Sequence, residues 1–202
     1  MRRHNTVAIA LVLAGIFADV AHAQSAAKSR TRGFFLGGGL EGAAQSVEDS
    51  NTDSGAGAGL TLGYGFNKTW ALFVNGSGAS LDSDEIGSYT LGQGDVGVRV
   101  SFRSGPNQVV PYIVGALSGR TAKIDFIDDQ GDSHSADVNG TGLTLGAGLN
   151  VFFSPSVALD LHYLYTGGSY DEVKFNNITI SGLDAKAQTG RFRIGVNWFV
   201  GK

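Results

Sequence analysis

Apolar and polar residues alternate with a period of two along most of this chain. The clearest case is the last stretch, Thr189 to Val200. Phe192, Ile194, Val196, Trp198 and Val200 fall on one face of an extended strand, and Arg191, Arg193, Gly195 and Asn197 fall on the other. A face with no charge and two aromatic rings thus opposes a face with two arginines. Roughly 9–11 residues of this kind suffice to cross a bilayer as a tilted strand. The same alternation predicts eight strands, at about 33–45, 55–66, 69–81, 88–103, 108–122, 138–153, 156–169 and 188–200. Strand five is the least regular, because Pro111 and the run Tyr112-Ile113-Val114 blur its parity.

The connections alternate in length. Asn67-Lys68, Ser104–Asn107 and Ser154-Pro155 are short; Ser46–Ser54, Asp82–Gly87, Lys123–Asp137 and Tyr170–Ala187 are longer. Short turns on one rim and long loops on the other imply an all-β, eight-stranded antiparallel transmembrane up-and-down barrel, with both termini on the short-turn side. The bulky face, such as Leu143, Leu145, Leu149 and Val151, is assigned to lipid. The opposite face, rich in Gly, Ser, Thr and Asn, suits the narrow interior of eight strands. A soluble barrel would carry many Lys and Glu on its polar face. Tyr64, Phe66, Trp70, Phe102, Tyr112 and Trp198 lie near the short-turn ends, where an interfacial aromatic girdle is expected.

The first residues read differently. Arg2 and Arg3 precede an apolar run, Val7 to Phe17, and Ala21-His22-Ala23 forms a small-x-small cleavage signal. Residues 1–23 are therefore expected to be a secretory signal peptide, since the run is short of the ~17–25 residues of a spanning helix. Residues 24–32 are a flexible lead-in and 33–202 the barrel domain. After cleavage, 13 basic and 17 acidic residues remain, a net charge of −4. The chain has 31 glycines, 3 prolines and no cysteine, so disulfide and thiol chemistry are excluded.

Several motifs resemble the small OmpA-type, opacity-protein-like outer-membrane β-barrel family. They are Gly33-Phe34-Phe35-Leu36-Gly37-Gly38-Gly39, the stretch Leu62-Gly-Tyr64-Gly-Phe66-Asn67-Lys-Thr-Trp70-Ala71-Leu72, Pro111-Tyr112-Ile-Val-Gly115-Ala116, Leu161-His-Tyr163-Leu-Tyr165-Thr166 and Arg193-Ile-Gly195-Val-Asn197-Trp198-Phe199. The resemblance covers the whole mature chain. It implies a barrel in the Gram-negative outer membrane, in contact with membrane lipid and lipopolysaccharide. It further implies a structural or surface-interaction role, with host or phage surface ligands met through the outer loops. A monomer is expected.

Candidate chemistry is sparse. Gly37-x-Gly39-x-x-Gly42 matches a dinucleotide fingerprint by letters, but Ala43-Ala44-Gln45-Ser46 gives no helix to receive a phosphate, so no cofactor is expected. Asp49-x-Asn51-x-Asp53 opens like a calcium loop but has Ser54 and Leu60 where Gly and Glu are needed, so no metal site is assigned. The mature chain has two histidines, His134 and His162. A lipid A acyl-modifying enzyme would need a serine beside its histidine, and the residue two beyond His162 is Leu164. No catalytic residue is assigned; that enzyme and a small-solute pore stand as the alternatives. The basic residues are scattered, which gives no nucleic-acid surface. Fourteen of the 17 acids fall in or beside the long loops. The other three, Glu41, Asp95 and Asp160, fall by parity inside the barrel with Arg99, Arg191, Arg193 and His162. These seven are the candidate site, an ionic network closing the lumen, with Arg191 or Arg193 within reach of Glu41 and an arginine near Asp160.

Overall fold

The computed structural model describes residues 31–48, 50–84, 87–102, 108–127, 133–175 and 178–200. The expected signal peptide, residues 1–23, and most of the expected lead-in, 24–32, lie outside them. Eight strands follow one another: β1 (Gly33–Val47), β2 (Thr52–Gly65), β3 (Trp70–Ser83), β4 (Gly87–Ser101), β5 (Val109–Ile127), β6 (Ser133–Phe152), β7 (Val157–Phe175) and β8 (Ile178–Val200). Each pairs antiparallel with the next, and β8 returns to β1, so the sheet closes without an edge across the membrane. That closure lets the ladder N–H and C=O groups pair within the sheet, where no water is present to satisfy them.

The outward faces carry the bulky apolar residues. Leu40, Leu60, Leu117, Leu143 and Leu145 are each more than 60% exposed. Residues of opposite parity are buried, among them Thr144, Asn150, Asp160 and Asn197. Tyr64, Phe66, Trp70, Phe102 and Trp198 project outward near the short-turn rim. Tyr112 does not join that girdle: it is 2% exposed and points inward. In β5 the outward set is Pro111, Ile113, Gly115 and Leu117, which leaves Val110, Tyr112 and Val114 inside. Pro111 has no N–H to give, yet the ladder tolerates it, pairing it with Leu149.

The expected long loops are in large part sheet. β5 and β6 stay paired to Ile127↔Ser133, and β7 and β8 to Phe175↔Ile178. The segments Ile124-Asp-Phe-Ile, Val173-Lys-Phe175 and Ile178-Thr-Ile180 supply β-branched and aromatic residues, which favour cross-strand pairing over an open loop. β1 to β4 have 14 or 15 residues, whereas β5 to β8 have 19 to 23. One half of the barrel therefore carries about 15 Å of additional strand beyond the other. β4 leaves β5 at Thr90↔Lys123, and β1 leaves β8 at Val47↔Ala187. Above those points the four tall strands stand as a separate wall. Near its middle the wall is kinked by a register shift between Tyr170 and Glu172, opposite Gly182 at φ 93°.

Candidate functional site

The interior is layered. At the short-turn end Phe35, Phe73, Val110, Tyr112, Phe152, Leu164 and Phe199 form an apolar floor. At the opposite end Leu81, Tyr89, Leu91, Ala122, Tyr170 and Ala187 form a roof. Both belong to the inward parity, so the interior is more apolar than a simple polar-in rule implies. Between floor and roof lie the charged residues.

Arg193 stands opposite Glu41 in the β1–β8 register and opposite His162 in the β7–β8 register. Its Nε and Nη2 both donate to Glu41 Oε2, at 3.0 and 2.6 Å. Its Nη1 donates to Asn75 Oδ1 (2.8 Å) and Thr61 Oγ1 (3.3 Å). Gly59 makes room for it, because a Cβ there would fall on the guanidinium. Glu41 Oε1 has no hydrogen-bond partner among the described residues.

Asp95 collects the most donors. Arg191 Nη2 lies 3.0 Å from its Oδ2. Asn75 (2.8 Å), Ser118 (2.6 Å), Gln93 (3.1 Å) and Thr144 (3.2 Å) also donate to the carboxylate. Gln93 and Thr144 each bond Thr166 in turn, so strands β3 to β8 are tied through one carboxylate. Arg191 and Asp95 are each 1% exposed.

Asp160 is held by Tyr112, whose hydroxyl donates to Oδ1 at 2.6 Å, and by His162 Nδ1 at 2.8 Å from Oδ2. An ionised carboxylate only accepts, which places the proton on Nδ1. No arginine pairs with Asp160 among the described contacts; both β8 arginines are engaged elsewhere. Arg99 packs its guanidinium over Phe35 (4.7 Å) and Tyr112 (4.3 Å), and among the described contacts it makes no direct ion pair with a carboxylate. Cation–π contact of this kind is strongest away from water. Arg99, Tyr112 and His162 border a cavity of about 10 Å³, room for about one water.

Sequence reasoning passed over one buried charge. Arg120 of β5 is 3% exposed, lies over the Tyr170 ring at 5.3 Å and reaches Thr189 Oγ1 at 3.4 Å. Its alternation with Tyr112 and Ser118 would have revealed it had β5 been phased on Leu117 rather than on Tyr112. Toward the roof, Gln45 accepts from Tyr170 (2.9 Å) and donates to Tyr89 (3.2 Å), and Tyr89 donates to Asp53 (3.0 Å). Above the roof the exposed Lys174 and the half-buried Glu172 pair at 2.9 Å. That hydrogen bond lowers the Glu172 carboxyl below its ordinary pKa, and Glu172 raises Lys174 above its own. Among the described residues no His, Cys, Asp and Glu cluster has the arrangement of a metal site. His134 belongs to β6, and its side chain lies outside the described residues.

Comparison with solved structures places this barrel among outer-membrane proteins. Neisserial surface protein A superposes with a TM-score of 0.64 at 18% identity, covering 83% of this chain and 97% of that one. OprG from Pseudomonas aeruginosa gives 0.60 at 13% identity, covering 85% and 98%. Ail, the attachment invasion locus protein of Yersinia pestis, gives 0.53 at 21% identity, covering 83% and 100%; Ail has also been crystallised with the heparin analogue sucrose octasulfate. A search of curated proteins gives no match. The model of the outer membrane protein beta-barrel domain matches residues 8–182. This chain belongs to that family, and its place is the Gram-negative outer membrane.

Proposed function

We propose that this protein is a closed, non-catalytic barrel that serves the cell envelope as a surface-interaction element, through the hairpins of its tall wall. The observation that carries this reading is the pairing of a densely filled interior with a one-sided sheet extension outside it. The interior offers interlocked hydrogen bonds and two apolar layers. The wall offers backbone and side chains on both faces, with Thr179 to Asp184 exposed.

The chemistry of the outer side favours a cationic partner. The chain holds 14 acids in or beside its outward connections, against Lys123, Lys174 and Lys186. A polyanion such as the heparin analogue bound by Ail would be repelled there. A basic protein surface, or an anionic one bridged by divalent cations, meets attraction. The lipid A acyl-modifying alternative is disfavoured by position. His162 is buried on the lumen side, with its Nδ1 committed to Asp160, whereas acyl chains lie against the outer face.

The test replaces 124–136 by a two-residue turn joining the paired Lys123 and Asp137. Heat-modifiable gel mobility reports assembly, and binding of whole cells to immobilised basic protein reports function. The expected result is an assembled barrel with binding lost. Unchanged binding, together with unchanged binding after trimming the β7–β8 hairpin, would overturn the proposal.

A further inference from the structure

The charges are polarised along the barrel axis. No acidic residue occurs in the segments that flank or join the strands at the short-turn rim, which are 24–32, 66–69, 102–108, 153–156 and 201–202. The same segments contain Lys28, Arg30, Arg32, Lys68, Arg103 and Lys202. Among the described residues, that rim carries Arg32 and Lys68 and no acid. Chance scatter of the 14 acids that lie in or beside connections does not favour such a rim.

Part of that rim is a shaped groove. Thr31 is buried, and its hydroxyl donates to the Lys68 carbonyl at 3.1 Å, which pins the incoming chain against the β2–β3 turn. Gly65 permits the approach, since a Cβ there would meet the Thr31 carbonyl oxygen. Asn67 Oδ1 caps the turn by accepting from the backbone N–H groups of Thr69 and Trp70, both at 2.8 Å. The result is a shallow, open groove lined by Arg32, Phe66, Asn67, Lys68, Thr69 and Trp70. Phe66 and Trp70 are more than half exposed, and Tyr64 packs edge-on to Phe66 at 5.5 Å. On the same outward face, Leu62 stands two residues from Tyr64 on β2 and Leu72 two residues from Trp70 on β3, and both are exposed.

We propose that this groove seats an anionic glycerophospholipid of the membrane's periplasmic leaflet. Arg32 and Lys68 hold the phosphate-bearing headgroup, Trp70 and Phe66 pack the glycerol region, and an acyl chain follows Leu62 and Leu72. Each part of such a lipid meets a surface of matching chemistry in the correct order of depth. Long cationic side chains at an interface reach the headgroups while their stems cover apolar surface. Aromatic rings prefer the same level. Lipopolysaccharide is a poor occupant, because it resides at the opposite rim, where the acids are.

The chain has two tryptophans, so Trp198→Phe leaves Trp70 as a local reporter. That protein is reconstituted into phosphatidylcholine bilayers, and quenching of Trp70 by brominated phosphatidylglycerol is compared with quenching by brominated phosphatidylcholine at equal low mole fraction. The expected result is a preference of about five-fold or more for the anionic lipid, near the value of one basic residue at a charged surface. It should fall toward unity in Arg32→Gln/Lys68→Gln and persist in Lys174→Gln/Lys186→Gln, whose charges lie at the other rim. Rising ionic strength should erode it without any variant. Equal quenching by the two lipids, or a preference indifferent to salt and to the rim substitution, would overturn the proposal. So would equal loss in both double variants.

Discussion

Replacing Arg193 with glutamine should cost more stability than replacing Glu41, although the two share one ion pair. Arg193 donates four hydrogen bonds, two to Glu41 Oε2 and one each to Asn75 and Thr61. Among the described residues Glu41 has no other partner, and its Oε1 is unbonded. Arg193→Gln therefore strands a carboxylate that is 3% exposed, a change that costs ~3–5 kcal/mol. Glu41→Gln leaves an amide oxygen still able to accept from Arg193, while Asn75 and Thr61 go on accepting from it. The expected loss is ~1–2 kcal/mol, the difference between a charged and a neutral hydrogen bond. The double variant removes both charges and should recover at least ~0.5 kcal/mol relative to the sum of the singles. Urea unfolding in lipid vesicles, read by tryptophan fluorescence and by gel mobility of the folded form, measures all three. Equal losses, a larger loss for Glu41→Gln, or strict additivity would refute the reasoning.

Leu145→Arg, on the lipid face, should lower stability by ~2–4 kcal/mol in bilayers, whereas Leu145→Ala should be milder; similar effects of the two would place that face outside the membrane. Gly59→Ala drives a methyl group into the Arg193 guanidinium, and the resulting crowding should cost ~1–3 kcal/mol. Gly76→Ala, where an added Cβ meets nothing within 4 Å, should leave the unfolding midpoint unchanged. The Glu172–Lys174 pair sets a pH window. Its stabilisation is present above the ordinary Glu pKa and is lost as pH falls through the depressed Glu172 value. At the other end it is present below the ordinary Lys pKa and is lost as pH rises through the raised Lys174 value. Carboxyl NMR titration should show Glu172 returning upward in Lys174→Gln, and no movement would remove the pair from the account.

Strand number, closure and lipid-facing parity were legible because a one-residue slip would turn every bulky side chain to the wrong face. Leu143, Leu145, Leu161 and Ile194 admit one phase only. Parity likewise turns Glu41, Asp95, Arg99, Asp160, His162, Arg191 and Arg193 inward, where the structure has each of them buried. It does not say who pairs with whom. Partner choice depends on barrel stagger, which brings Asp95 of β4 to Arg191 of β8 across the lumen and leaves Arg99 on aromatic rings. β5 misled because Tyr112 looks like an interfacial aromatic while serving as the floor's donor to Asp160. Arg120 was missed with it. The tall wall was obscured by Asp125, Asp137, Asp171 and Asp184, whose acidity suggested open loops; the β-branched residues between them carry the pairing.

Planar-bilayer recording of the purified, reconstituted protein tests the central claim, that the barrel's interior is sealed by its ionic network between two apolar layers. The account predicts no steady conductance from the unaltered protein at neutral pH, and brief ion leakage once Arg193→Gln breaks the pair with Glu41. A stable open level from the unaltered protein, insensitive to Arg193→Gln, would contradict it.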